Sequence, residues 1–145
     1  MQELIIDAGE KKKNNHVWTN NIMVDFSHID KYGHANYSFY LNWYETGHRA
    51  FLKNIGLDFQ SLEEKYGLRT LVISVNAEYL AEVFQGDSIT VGTEVDPIRN
   101  TSMTYVQEIK KGDQIVSRAH IKVVFVDKTG RPVNIPQDIR AKLLS

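Results

Sequence analysis

The chain has 145 residues, 42% hydrophobic and 24% charged, which fits one soluble domain, since two half-sized cores would each bury too little to hold together. Seventeen basic against eighteen acidic residues leave a formal charge of -1, so no field of one sign draws the chain to nucleic acid or to an anionic membrane. Cysteine is absent, which excludes disulfides, thiolate metal sites and a cysteine nucleophile.

Residues 1–16 read as a loosely attached lead-in to a single domain over 17–145. Lys11, Lys12 and Lys13 lie beside Asn14 and Asn15 and read as a solvated linker. The start carries a short apolar piece (Leu4, Ile5, Ile6) with acidic flanks and no basic region, so no secretory leader is expected. The aliphatic run 123–126 is far too short to span a bilayer, and the expected location is cytoplasmic. From Val17 to Phe26 the apolar residues Trp18, Ile22, Val24 and Phe26 fall on even positions, the pattern of a strand with one buried face.

A polar turn over 27–35 leads into a helix-period segment from Tyr37 to Lys53. Ser38, Asn42, Glu45, Thr46, Arg49 and Lys53 share one narrow side. The apolar arc on the remaining sides is about twice the ~100° stripe of an ordinary surface helix, so more than one side must be covered. His48 stands in the middle of that arc and reads as a buried, hydrogen-bonded histidine. Gly56 is a stop signal, and 58–66 reads as a second short helix ending near Gly67.

Beyond Gly67 the period becomes two. Leu71, Ile73, Val75, Ala77 and Tyr79 form one alternating set, and Ile89, Val91, Thr93 and Val95 a second. Met103, Tyr105, Gln107 and Ile109 form a third, and the fourth runs from Ile115 to Phe125. Gly86-Asp87, Asn100, Gly112-Asp113 and Thr129-Gly130 mark the turns, and neighbouring strands are expected to pair as antiparallel hairpins. After Pro136 a last helical turn or two is expected, with proline at its first position. The sum is an α+β domain in which an antiparallel sheet curls around one long helix. Its open edges imply a homodimer or a tetramer of dimers.

Reactive groups are densest between the first strand and the long helix, at His28, Asp30, His34 and Asn36, with Gly33 among them. A helix N-terminus offers unpaired N–H groups and partial positive charge, which stabilise an oxyanion. A carboxylate just before it completes what water attack on a thioester requires. Taken alone, Asp30 reads first as a turn-former or a helix cap and only second as a catalytic group.

The stretch from Phe26 to Asn36 (FSHIDKYGHAN), followed by Tyr40, Trp43, Glu45 and Arg49, resembles the acyl-CoA thioester hydrolases related to hydroxybenzoyl-CoA thioesterase. Tyr79, Gly86-Asp87, Asp127, Gly130-Arg131-Pro132 and Ile135-Pro136 extend the resemblance over nearly all of 17–137. It implies the hot-dog fold, a sheet wrapped on a central helix. It implies hydrolysis of an acyl-CoA to free acid and thiol, with no metal or redox cofactor. The second acid of the family's loop motif is the catalytic carboxylate and maps onto Asp30. The amide at the start of the helix maps onto Tyr37, as the backbone donor to the thioester carbonyl, and His34 and Asn36 match its supporting polar groups.

His28 replaces the motif's first acid and Tyr37 its second Asn. A different hot-dog branch uses a helix Glu, but Glu45 falls on the polar side. The resemblance further implies CoA held in a groove between subunits, with Arg99, Lys128 and Arg131 at strand ends as candidates for its phosphates; taken singly, each reads first as an ordinary turn or rim charge. Acyl carrier protein is the alternative thiol carrier. Three rivals stand beside this reading. One is a metal hydrolase using His28, Asp30 and His34. Another is a non-catalytic acyl-CoA binder on the same groove. The third is a hydratase, which pairs an Asp with a His five residues on where His34 is four on.

Overall fold

The computed structural model describes residues 16–25 and 36–145. The Lys11–Lys13 cluster, the lead-in up to Asn15, and Phe26, His28, Asp30, Gly33 and His34 lie outside the described residues. The elements in chain order are β1 (Val17–Trp18), β2 (Ile22–Met23), α1 (Tyr37–Asn54), α2 (Phe59–Tyr66), β3 (Arg69–Tyr79), β4 (Ser88–Ile98), β5 (Ser102–Lys111), β6 (Gln114–Val126) and α3 (Gln137–Leu144).

α1 begins where the sequence places it. Asn36 caps it, its side-chain oxygen accepting from the Ser38 amide at 2.9 Å. The helix buries Tyr40, Trp43, Tyr44, Gly47, His48, Phe51 and Leu52, a stripe that recurs every three to four residues. The rest of the wide apolar arc is open: Leu41 is 44% and Tyr37 70% exposed. α2 is closed at both ends by local chemistry. Asp58 accepts from the Ser61 amide, and Gly67 takes the left-handed conformation at φ 67° that ends the helix. Pro136 occupies the cap before α3 and not its first helical position, which Gln137 takes; the ring's fixed φ suits either place.

The sheet is antiparallel, in the order β1-β4-β5-β6-β3, with β2 also on β4. β4–β5 and β5–β6 are the expected hairpins. β3 departs from that expectation. It pairs with β6 and not with its sequence neighbour β4, so the two lie on opposite sides of the β5–β6 hairpin. The connection between them is anchored by buried Val83 and by the Gly86 amide, which donates to the Val24 carbonyl at 2.8 Å.

Two alternations also break. In β3 a register shift between Val72 and Ser74 flips the pleat, so Thr70, Val72, Val75 and Ala77 face inward in place of Leu71 and Ile73. The first strand is two short pieces, because Thr19 turns its hydroxyl to the Val91 amide and interrupts the run. Its parity changes there. Val24 is fully buried, whereas Trp18 lies 39% exposed on the outer face against Gly92 and stacked on His16.

Helix and sheet meet closely at one place. A Cβ added to Gly47 would stand 2.6 Å from both the Gln107 amide nitrogen and the Thr93 hydroxyl, so only glycine admits this approach. α1 thus seats on β4, β1 and β5.

Candidate active site

At its N-terminal end α1 reaches across to the far strands. The Tyr44 hydroxyl meets the Ser117 hydroxyl at 2.5 Å, and Ser117 donates in turn to the Glu78 carbonyl at 2.7 Å, so Tyr44 is the donor of the first bond. The rings of Tyr40 and Tyr79 meet edge to face at 4.9 Å, and Tyr37 leans on Tyr79 at 6.2 Å. Burial raises the Tyr44 and Tyr40 hydroxyl pKa values, so both stay protonated donors at neutral pH.

Further along, α1 stays over β4 and β5 while β6 and β3 continue beyond it. A cavity of about 570 Å³ opens in the gap, within the range of small-molecule sites. Ile121 and Val123 of β6 and Val72 and Val75 of β3 form its floor, and Leu41 and Phe59 its apolar walls. Asn42, Glu45 and His48 border it from α1, and Glu63, Arg69 and Thr70 lie at the far end. Glu45 is exposed and paired with Arg49 at 2.8 Å, on the polar side as expected, yet it also edges the cavity.

Under α1 a polar network crosses the core. The Gln107 amide group donates to the Tyr44 carbonyl at 3.0 Å and to the Thr93 hydroxyl at 2.9 Å, while its oxygen meets His48 Nε2 at 2.8 Å. His48 stacks on the Tyr105 ring with centroids 3.8 Å apart. Burial, opposed by the Gln107 bond, lowers the His48 pKa to about 4, so the ring is neutral at pH 7. His48 is therefore buried and hydrogen-bonded, as its place in the apolar arc implies.

Of the expected site residues, Tyr37 and Asn36 are placed at the mouth of α1. Asn36 takes the Ser38 amide on its side chain and the Phe39 amide on its carbonyl, at 2.9 and 3.0 Å. Among the described residues no acceptor meets the Tyr37 amide, which leaves it available to a carbonyl. Asp30 and His34 lie outside the described residues. Arg99, Lys128 and Arg131 gather at the opposite end of the sheet, beyond Ile98 and Val126. From Ser117, level with Tyr79, to Val126 is nine residues of β6, roughly 30 Å at ~3.3 Å each. One protomer thus does not bring them to its own helix mouth. Arg69 is the cation the sequence reading missed. It starts β3, edges the cavity, and approaches Gly130 in the turn that carries Lys128 and Arg131. An isolated Arg before an apolar strand gives no signal of this.

Among the described residues no group of His, Asp and Glu could hold a metal; the His28, Asp30 and His34 set lies outside them. Among the same residues no helix is long and apolar enough to cross a membrane.

A sheet wound on a central helix, with a capped helix mouth beside an apolar cavity, defines the hot-dog class of thioesterases, an enzyme class. The model of the Thioesterase-like superfamily matches residues 24–143, and the chain belongs to that family. Acyl-CoA thioesterase YbgC of Haemophilus influenzae is 24% identical over 121 residues, 83% of this chain and 89% of that protein. The solved structure of the PA5185 protein from Pseudomonas aeruginosa is 28% identical with a TM-score of 0.75, covering 88% of this chain and 87% of that one. A 1,4-dihydroxy-2-naphthoyl-CoA thioesterase from Synechocystis shares 14% identity with a TM-score of 0.79, over 88% and 95% of the two chains. The fold and the enzyme class expected from the sequence both stand.

Proposed function

We propose that the chain hydrolyses an acyl-CoA to a free acid and CoA, at the mouth of α1. The observation that carries this reading is the Tyr37 amide, with no acceptor among the described residues, one helical turn from the cavity edge at Leu41. The thioester oxygen accepts from that amide, and the partial positive charge of the helix end stabilises the oxyanion as it forms. Asp30, six residues before the cap, supplies the carboxylate. As base it takes a proton from water while the water oxygen adds to the carbonyl carbon. The tetrahedral intermediate then collapses, the C–S bond breaks and the thiolate leaves to be protonated. As nucleophile it forms a mixed anhydride that water cleaves in a second step. His34 orients the thioester or the water, and Asn36 holds the mouth in shape as its cap.

The active form in this reading is a homodimer joined along β3, which two such dimers extend to a tetramer. β3 is a sheet edge, with Leu71, Val72, Ile73, Val75 and Tyr79 all exposed, the kind of edge a second strand covers. Two copies of β3 laid antiparallel place the Arg69 end of one beside the Tyr79 end of the other. The cations Arg69, Lys128 and Arg131, too distant within one protomer, then stand near the partner's helix mouth, where CoA phosphates need them. Arg99 lies at the same end of the sheet. This chain works in the cytoplasm, off the membrane.

Asp30→Asn tests the chemistry. Thiol release is expected to fall by at least about 10³-fold, with acyl-CoA still bound. Wild-type protein that binds acyl-CoA and acyl carrier protein esters yet frees no thiol from either would establish a binder and overturn the proposal. Loss of activity to a chelator, with stoichiometric zinc, would establish the metal hydrolase.

A further inference from the structure

His48 does more than satisfy the core. The Gln107 amide has both protons engaged, by the Tyr44 carbonyl and the Thr93 hydroxyl, so its oxygen is the atom facing His48 Nε2. Two acceptors cannot share that bond, hence Nε2 carries the ring proton and Nδ1 the lone pair. Among the described residues no donor meets Nδ1. Nor is Nδ1 among the sealed polar atoms without a partner, a place held by the Tyr105 hydroxyl. His48 borders the cavity, the open space to which an unsealed and unbonded Nδ1 is assigned. Stacking on Tyr105, with planes 11° apart, fixes the direction in which it points.

The surroundings of this acceptor are apolar, with Leu41, Val72, Val75, Ile121 and Val123 on the same cavity. His48 lies eleven residues along α1 from Tyr37, about 16 Å at ~1.5 Å per residue. An aromatic acyl group held at the mouth does not reach it; an extended aliphatic chain does. We infer that His48 is a specificity-determining residue, which selects long aliphatic acyl groups bearing a hydroxyl near their distal end. The hydroxyl donates to Nδ1, whereas the unsubstituted chain covers that lone pair and leaves it without a donor.

This inference rests on the thioesterase reading. The test compares kcat/KM for decanoyl-, dodecanoyl- and tetradecanoyl-CoA with their ω-hydroxy counterparts, and benzoyl- with 4-hydroxybenzoyl-CoA. One or more of the aliphatic pairs is expected to favour the hydroxylated ester about tenfold to a hundredfold, and the aromatic pair to show no such preference. His48→Phe keeps the ring's shape and stacking without the acceptor, and brings the aliphatic ratio to about one. A merely structural role lowers both esters alike and leaves the ratio as it was. If His48→Phe does not fold, His48→Leu, which also lacks the acceptor, is compared on the same pairs and is likewise expected to bring the aliphatic ratio to about one. Calorimetric affinities of wild type for free dodecanoic and ω-hydroxydodecanoic acid repeat the comparison without catalysis. Equal rates across every aliphatic pair, or a ratio unchanged on substitution at His48, overturn the inference and leave the thioesterase reading in place. No thiol release from any ester overturns that reading instead.

Discussion

The two halves of the sheet are built to different ends. Beneath α1, strands β4 and β5 offer Val91, Thr93, Val95, Tyr105 and Gln107, all buried, and the helix settles on them through Gly47. Beyond α1, strands β6 and β3 offer Ile121, Val123, Val72 and Val75 to a cavity, and β3 ends in an exposed edge. One half closes on itself within the protomer; the other leaves a cavity and an exposed edge, which the proposed reading fills with substrate and a second copy. The difference shows how one helix serves two ends, with its buried stripe on the first half and its mouth and flank beside the cavity on the second.

Substitutions separate the halves. The largest effect is expected at the open edge: Ile73→Asp puts a charge on the outward face of β3, where the proposed partner strand joins, giving a monomer by light scattering and at least about a hundredfold less thiol release. Acid acts on the closed half. His48 has its pKa lowered to about 4 from 6.5, so the unfolded chain binds the additional proton between those values. Stability is full above pH 6.5 and falls as pH drops toward 4, by about 3 kcal/mol in denaturant titrations. Asp58, Asp127 and Asp138 have lowered pKa values and lose their contribution only at still lower pH, so His48→Gln should flatten the upper window.

Gly47→Ala is next. Its Cβ meets Gln107, Thr93 and Val91 within 2.8 Å, and overpacking of that kind costs about 1–3 kcal/mol, read as a lower chemical-denaturation midpoint. The smallest effect is at Tyr105, whose buried hydroxyl has no partner among the described residues. Tyr105→Phe removes an unsatisfied group and should be neutral or stabilising by up to about 1 kcal/mol, the one core change here that does not weaken the protein.

Legibility in the sequence followed the range of the forces involved. α1 from Tyr37, α2 between Asp58 and Gly67, and the alternation of β4, β5 and β6 are local patterns of period and capping, and the sequence displays them. The pairing of β3 with β6 is a contact between distant segments, and no periodicity encodes which edge a strand joins. The bulge beside Ile73 is likewise invisible, because an unbroken apolar run satisfies either parity. At the site, Tyr37 and Asn36 were legible as a helix start. The polar Gln107 among inward positions was visible, but its junction with His48 and Thr93 needs three elements brought together. Arg99, Lys128 and Arg131 were legible as turn cations; their distance from the helix mouth follows only from the strand order.

The bulge in β3 has a practical bearing on solubility. Because the pleat flips there, the uncharged run from Leu71 to Val75 shows aliphatic side chains on both faces of an edge strand that is paired on one side alone, with β6, among the described residues. Chains of that kind stack on one another in cross-β fashion when nothing shields them. Dilution or any variant that frees this edge should therefore seed precipitation, and added ligand or higher protein concentration should suppress it.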